Sequence, residues 1–248
     1  MLIRTTDQAA PQSAFQPTRR LTLFYERSLR KIARQIGDLT SLYDPGGDQG
    51  VSPLVSALHR YERLLEPWAE TTAARMLSDV SRVNSQHWKQ YSEQMGVELR
   101  RELENADTGR VMRQLQAEQV DLITSLPREA AERAQKIASE SLITGARFSE
   151  LRDELLKTGE VTESRATPIA RTETSRASSL LTQARAQAIG SPGYIWRSHR
   201  DNRTRPSHRE MNGQFVAWEE PPTLDGLTGH AGCVPNCRCF ARPVLPDA

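Results

Sequence analysis

Ala188-Ile189-Gly190-Ser191-Pro192-Gly193-Tyr194-Ile195-Trp196 is where this chain changes texture. Up to Gly190 apolar residues recur at helical spacing; beyond it come short runs of another kind. Tyr194-Ile195-Trp196, Phe215-Val216-Ala217-Trp218 and Phe240-Ala241-Arg242-Pro243-Val244 are strand-like, and Asn212-Gly213 is a tight-turn signal. The chain therefore reads as α+β and predominantly α. A long helical N-terminal region precedes a small, loop-rich C-terminal module containing β-structure, and no internal repeat is visible.

Working back from Gly190, Thr167-Pro168 opens a helix whose apolar face is Ile169, Leu180, Leu181, Ala184, Ala188 and Ile189. Ser149 to Leu156 reads as a short helix ended by Gly159, and Gly145 as a stop. A helix starting near Arg110 carries Val111, Leu115, Val120, Leu122 and Ile123. Ser125-Leu126-Pro127 restarts it with Ala130, Ala134, Ile137 and Leu142 on one face. Ser52 and Pro53 supply the N-cap and first position of another helix. Its Leu54, Leu58, Tyr61, Leu65 and Trp68 form a narrow seam, with a kink expected at Pro67. Helical sequence resumes from Met76 through Leu103 and stops at Asn105-Ala106-Asp107-Thr108-Gly109. The first helix spans Thr18 to Tyr43 on Leu21, Phe24, Leu29, Ile32, Ile36 and Leu39, and Asp44-Pro45-Gly46-Gly47-Asp48 breaks it. Residues 1–17 are polar and proline-punctuated, a flexible arm.

The composition excludes some classes. Of the 248 residues 37% are hydrophobic, mean hydropathy is -0.61, and no apolar run approaches the ~20 residues that span a bilayer. Met1-Leu2-Ile3-Arg4-Thr5-Thr6-Asp7 lacks the apolar core and cleavage site of a signal peptide, so the expected place is a cytoplasm unless a particle carries the chain out. From residue 165 onward eleven Arg face seven acidic side chains, +4, which leaves -2 for residues 1–164 of the total +2. That mildly basic end permits phosphate contact without demanding it. The cations are overwhelmingly Arg, with Lys only at 31, 89, 136 and 157.

The chemistry-bearing residues gather at this end. All three cysteines lie here, and His230, Cys233, Cys237 and Cys239 read His-x2-Cys-x3-Cys-x-Cys, with His208 in reach from the preceding loop. Such donors suit a structural, tetrahedral zinc ion. They also suit three thiols packing a loop-rich end, or a disulfide formed outside the cell. Asp201, Arg203, Arg205 and His208 form a second constellation: an acid–base site with His208 as proton shuttle, or a loop in which Asp201 pairs with Arg203 or Arg205 and His208 bonds backbone. On the helix before Gly190, Glu173 and Arg176 are neighbours, and Arg171 shares a face with Ser175. An Arg/Glu pair tying this helix to the β module is the plainer reading. Trp196 and Trp218 read as core aromatics.

Taken in order, Ala170-Arg171-Thr172-Glu173, Gly190, Trp196, Asp201 with Arg203-Thr204 and His208, Met211 with Gly213, and Cys237-Arg238-Cys239 ahead of Pro243 resemble the C-terminal region of the phage Mu protein F-like family of minor head, or head morphogenesis, proteins. The resemblance covers roughly residues 120–245, and here Ala231 to Asn236 separate His230 from the Cys-Arg-Cys run where the family has His-Pro. It divides the chain into an arm (1–17), a helical docking region (18–119) and a head-morphogenesis domain (120–248), helical to about 190. It implies Arg171, Glu173, Trp196, Asp201, Arg203, Thr204, His208, Gly213, Cys237, Arg238 and Cys239 as motif residues without a catalytic role. The implied setting is a tailed phage or prophage. The partners would be the portal, major capsid or scaffold proteins and packaged double-stranded DNA, with no membrane. The chain would pass from host cytoplasm into the virion and serve procapsid assembly and DNA packaging or ejection. The competing reading is a nuclease, His-dependent or metal-assisted, using His208, His199, Arg203 and Glu173. A general nucleic-acid binder is the third.

Overall fold

The structure, a computed structural model, describes residues 15–43, 50–95, 106–144, 148–199 and 201–245. Four long helices come first: α1 (Arg19–Ser41), α2 (Ser52–Met95), α3 (Thr108–Thr144) and α4 (Phe148–Ala188). Then follow β1 (Gly193–Arg197), a short helix α5 (Pro206–Glu210), β2 (Phe215–Ala217), β3 (Thr223–Leu224), β4 (Leu227–Thr228) and β5 (Phe240–Pro243). The chain is thus α+β and mostly α, as its texture predicts. Among the described residues no helix is long and apolar enough to cross a membrane. The expected breaks at 44–48, at Asn105 and at Gly145, the positions Val97, Leu99 and Leu103, and arm residues 1–14 lie outside the described residues.

The helices are longer than the proline and glycine signals predict. Pro67, Pro127 and Pro168 all lie inside continuous helices. A mid-helix proline costs about 3 kcal/mol, and burial around it offsets that. Leu126, Ala130 and Ala131 flank Pro127, and Ala166 and Ala170 flank Pro168, all at most 3% exposed. Gly159 does not end a helix either. It lies within α4, where a side chain on it would stand 2.6 Å from the Cα of Gly37 in α1. Its role is close helix contact.

By contact density the chain forms two compact units, each drawing on several segments. One comprises residues 23–75 and 116–170. In it Tyr25, Leu29, Ile32 and Ile36 of α1 are buried, with Leu54, Leu58, Ile123 and Leu126. Beyond Leu65 the buried seam of α2 runs on through Ala69 and Ala73, while Trp68 is turned outward. Polar ties lock the helices: Tyr25 Oη donates to Gln119 Oε1 at 2.7 Å, Arg30 reaches Glu163 and Thr167 at 3.2 Å each, and Arg165 pairs with Glu129.

The other unit comprises residues up to 22, 76–115 and 171–248. Its sheet has the order β2-β1-β5, all antiparallel, with Tyr194 opposite both Val216 and Pro243. Trp196, Tyr194, Trp218 and Val216 form one buried cluster with Trp88, Tyr91, Ala241 and Leu245. Burial on this scale, at roughly 25 cal/mol per Å² of apolar surface, anchors a small sheet too short to stand alone. Phe15 is 2% exposed among Trp88 and Tyr91, and its carbonyl accepts from Ser178 Oγ at 2.7 Å. The arm is therefore held at Phe15, where the sequence reading leaves it free through Pro17. Asn212-Gly213 does form a turn: Gln214 N–H donates to Met211 O at 2.9 Å, and Gly213 has φ +90°. A second turn at Asp225-Gly226 (φ +53° and +76°) closes the β3–β4 hairpin.

Candidate metal-binding and structural centre

The site is built on three pieces of the second unit. The first is the loop from Asp201 into α5. Asp201 Oδ1 accepts from the Arg203 N–H and from Thr204 Oγ1, both at 3.1 Å, and folds the loop on itself. Pro206 then begins α5 at the position that needs no N–H donor, placing His208 on its inner face at 3% exposure. The second piece is Cys237-Arg238-Cys239. It has no regular secondary structure and leads directly into β5. Cys237 and Cys239 face His208 together, with Nδ1 at 3.5 Å from one Sγ and 3.6 Å from the other. The three donor atoms lie within 4.8 Å of one another, all buried.

Arg238 faces elsewhere and joins the two pieces. Its Nη1 and Nη2 each stand 2.5 Å from an oxygen of Asp201, a bidentate pair. The sequence reading gives Asp201 to Arg203 or Arg205; the guanidinium that reaches it belongs to Arg238. Arg205 instead donates to Pro235 O at 3.0 Å, and the Arg203 side chain is exposed. The Arg238 pair holds the Asp201 carboxyl well below the usual carboxylate range.

The third piece is α4 with the 230–237 loop. Thr172 Oγ1 accepts the Asn236 N–H at 2.9 Å, and Ser179 Oγ donates to Ala231 O at 2.7 Å. Glu173 pairs with Arg176 at 3.4 Å along the same helix, and Thr172 and Ser179 tie that helix to the 230–237 loop. Gly232 has φ +83°, and its N–H donates to Cys237 Sγ at 3.4 Å. A side chain there would meet Ser179 Oγ at 2.5 Å and Cys239 O at 3.0 Å. The Cys237 thiol is pulled down by the Cys239 thiol donating to it and by the Gly232 N–H, while Cys239 is pushed up as the partner that keeps its proton.

Of the five residues read as metal donors, the fold assembles three. His230 lies apart: its Nδ1 is 3.3 Å from Tyr194 Oη, its ring meets the edges of Tyr194 and Trp218, and burial lowers its pKa. Cys233 also lies outside the three-atom cluster, its thiol pushed up to about 12 by burial. Trp196 packs edge-on against the His208 ring, centroids 5.5 Å apart. Among the described residues the His208 ring faces sulfur through Nδ1 rather than a backbone group.

Residues 132–242 match the family described as Phage Mu protein F like protein. The matched range runs from within α3 to Arg242 and contains the Asp201–Arg238 pair and the His208 cluster whole, in accord with the motif order read from the sequence. Along nearly its whole length, 97%, the chain is also 28% identical to a Haemophilus influenzae protein described as an uncharacterized protein, of which it spans 58%. No solved structure matches. Sequence reasoning missed Arg238 as the partner of Asp201, and Arg185, which is 6% exposed and held by Asn84 Oδ1, Ser81 Oγ and Ser85 Oγ at 2.5–3.3 Å. Nothing in the local sequence signals either pairing, because each partner lies tens of residues away.

Proposed function

We propose that this chain is a minor head protein of a tailed phage or prophage, acting in head morphogenesis at the portal vertex. The observation that carries the reading is the Mu F-like match over residues 132–242, which includes the motif residues from Arg171 to Cys239. Those residues do mechanical work. The Asp201–Arg238 pair, the Thr172 and Ser179 contacts and the buried His208 hold a compact module, as an assembly protein needs. Acid–base work would pair His208 with a carboxylate or a second histidine, and its Nδ1 faces two cysteine sulfurs instead, which supports the nuclease reading poorly.

The partner contact is assigned to the helical unit. On α2 Leu64 and Trp68 are 72% and 36% exposed four residues apart, hence on one helix face, and Leu42, Leu142 and Ile143 are more than 80% exposed. Apolar surface of this kind favours docking on the portal, or on major capsid or scaffold protein. Contact with packaged DNA would be weak, since the +4 over residues 165–248 is modest. In this reading the chain is made in the host cytoplasm and leaves in the virion.

The test is co-purification of the tag-free chain with the portal protein of its own genome, together with a nuclease assay. Stable portal binding without turnover supports the reading. Absence of binding, with DNA or RNA cleavage that His208→Ala abolishes, would replace it with the nuclease.

A further inference from the structure

We infer that His208 Nδ1, Cys237 Sγ and Cys239 Sγ bind one zinc ion as three of its four ligands, leaving the fourth position to solvent. The first argument is geometric. Tetrahedral zinc with Zn–N of about 2.0 Å and Zn–S of about 2.3 Å sets the nitrogen and each sulfur about 3.5 Å apart. The distances here are 3.5 and 3.6 Å.

A hydrogen-bonded alternative explains less. Nδ1 carries at most one proton and can donate to one sulfur, yet it stands equally far from both. Nε2 is buried without a hydrogen-bond partner, so no second group reserves the ring for another role. The nitrogen lone pair is free to coordinate when the proton sits on Nε2.

The second argument is the donor set. One imidazole and two thiols is a borderline-soft combination suited to zinc and poorly suited to magnesium or calcium. The spacing, which lacks a two-residue gap, is no obstacle. Cys-x-Cys here already brings both sulfurs to the same nitrogen of His208. The Gly232 N–H supports the Cys237 sulfur at 3.4 Å, as a thiolate ligand requires. On binding, each thiol yields its proton to solvent and both sulfurs coordinate as thiolates.

The third argument is access. A cleft of about 110 Å³ lined by Arg203, Thr204, Arg205 and Asn236 reaches all three donors. Cys233 and His230 are outside the cluster, so the fourth ligand comes from this cleft as water.

The experiment uses the full chain without histidine tags, purified under reductant and without chelator. Native mass spectrometry should find one zinc per chain. X-ray absorption at the zinc edge should find two sulfurs, one nitrogen and one oxygen neighbour. C237S, C239S and H208A should each lose the ion, and C233S should keep it. If the ligand variants fail to fold, the absorption spectrum of the unaltered chain decides alone. Three results would overturn the site: a folded chain that takes up no metal when dialysed against zinc, a Cys237–Cys239 disulfide in the chain as isolated without reductant, or a third sulfur neighbour with loss of zinc in C233S. None of these depends on portal binding.

Discussion

Asp201 is the residue on which the C-terminal module turns. Its carboxylate accepts from Arg203 and Thr204, closing the loop, and pairs with Arg238 between the two cysteines. Because its pKa is lowered in the folded state, the stability this pairing contributes is present above the unfolded carboxylate value of about 3.9. It is lost as pH falls through the lower folded value. Asp201→Asn should therefore melt below the unaltered chain by a margin that is constant from neutrality to about pH 5. The margin should shrink on further acidification, and thermal melts across pH read it directly; a margin that grows with acid would refute this account. Arg185 makes a second case. Asn84 Oδ1 accepts from Arg185 Nη1, and Asn84 Nδ2 donates to Thr182 Oγ1 at 2.8 Å and to Ser178 O at 3.2 Å. Asn84→Ala removes all three and should destabilise by about 1–3 kcal/mol in urea unfolding. The sequence could not show these partners. Asp201 and Arg238 are separated by 37 residues, Arg185 and Asn84 by 101, and a side chain's partner over such distances is decided by topology.

Among the elements, the strands and the outer helix ends were legible, and the continuity of the helices through Pro127, Gly159 and Pro168 was not. Tyr194-Ile195-Trp196, Phe215-Val216-Ala217 and Phe240 to Pro243 are strands as their composition predicts, because aromatic and β-branched side chains fit a half-buried pleated surface. Asp225-Gly226, the turn of the β3–β4 hairpin, carries a sequence signal of the same kind as Asn212-Gly213, but with only two residues in each strand around it. Pro127, Pro168 and Gly159 misled for a different reason: local propensity is worth a few kcal/mol, and tertiary burial overrides it. The buried face of α4 was also hidden. Thr174, Ser178 and Thr182 line it with Leu181 and Arg185, and small polar residues carry no hydrophobic periodicity. Gly159 and Gly37 give the sharpest test. A methyl on Gly159 would stand 2.6 Å from Gly37 Cα, whereas one on Gly37 would meet Gly159 Cα at 3.8 Å, ordinary contact. Gly159→Ala should cost about 1–3 kcal/mol. Gly37→Ala should be neutral or stabilising by up to about 1 kcal/mol. Equal effects in chemical denaturation would show that the two helices do not meet at this point.

For the whole molecule, the two units suggest a division of labour that can be tested by mutation. The unit of residues 76–115 and 171–248 holds the motif residues, and its chemistry is directed inward. The other unit places Leu64 and Trp68 on the outside of α2 while Leu65 and Ala69, one position on, are buried. That register follows from the helical period and not from hydrophobicity, since Trp68 looks like a core residue in sequence and Ala69 does not. An exposed apolar pair on a helix costs solubility, and a partner surface is the reason proposed here for keeping it. Leu64→Glu with Trp68→Glu should leave the unfolding free energy within about 0.5 kcal/mol of the unaltered value, as surface substitutions generally do. The same change should weaken binding to portal protein by tenfold or more, since burying a carboxylate in an apolar interface costs over about 1.4 kcal/mol. Isothermal calorimetry of the double variant, with circular dichroism melts of the same sample, separates the outcomes. Lost binding with retained stability assigns the helical unit to docking. Retained binding moves the contact to the unit that holds the motif residues, and a large loss of stability means that this face is covered within the molecule.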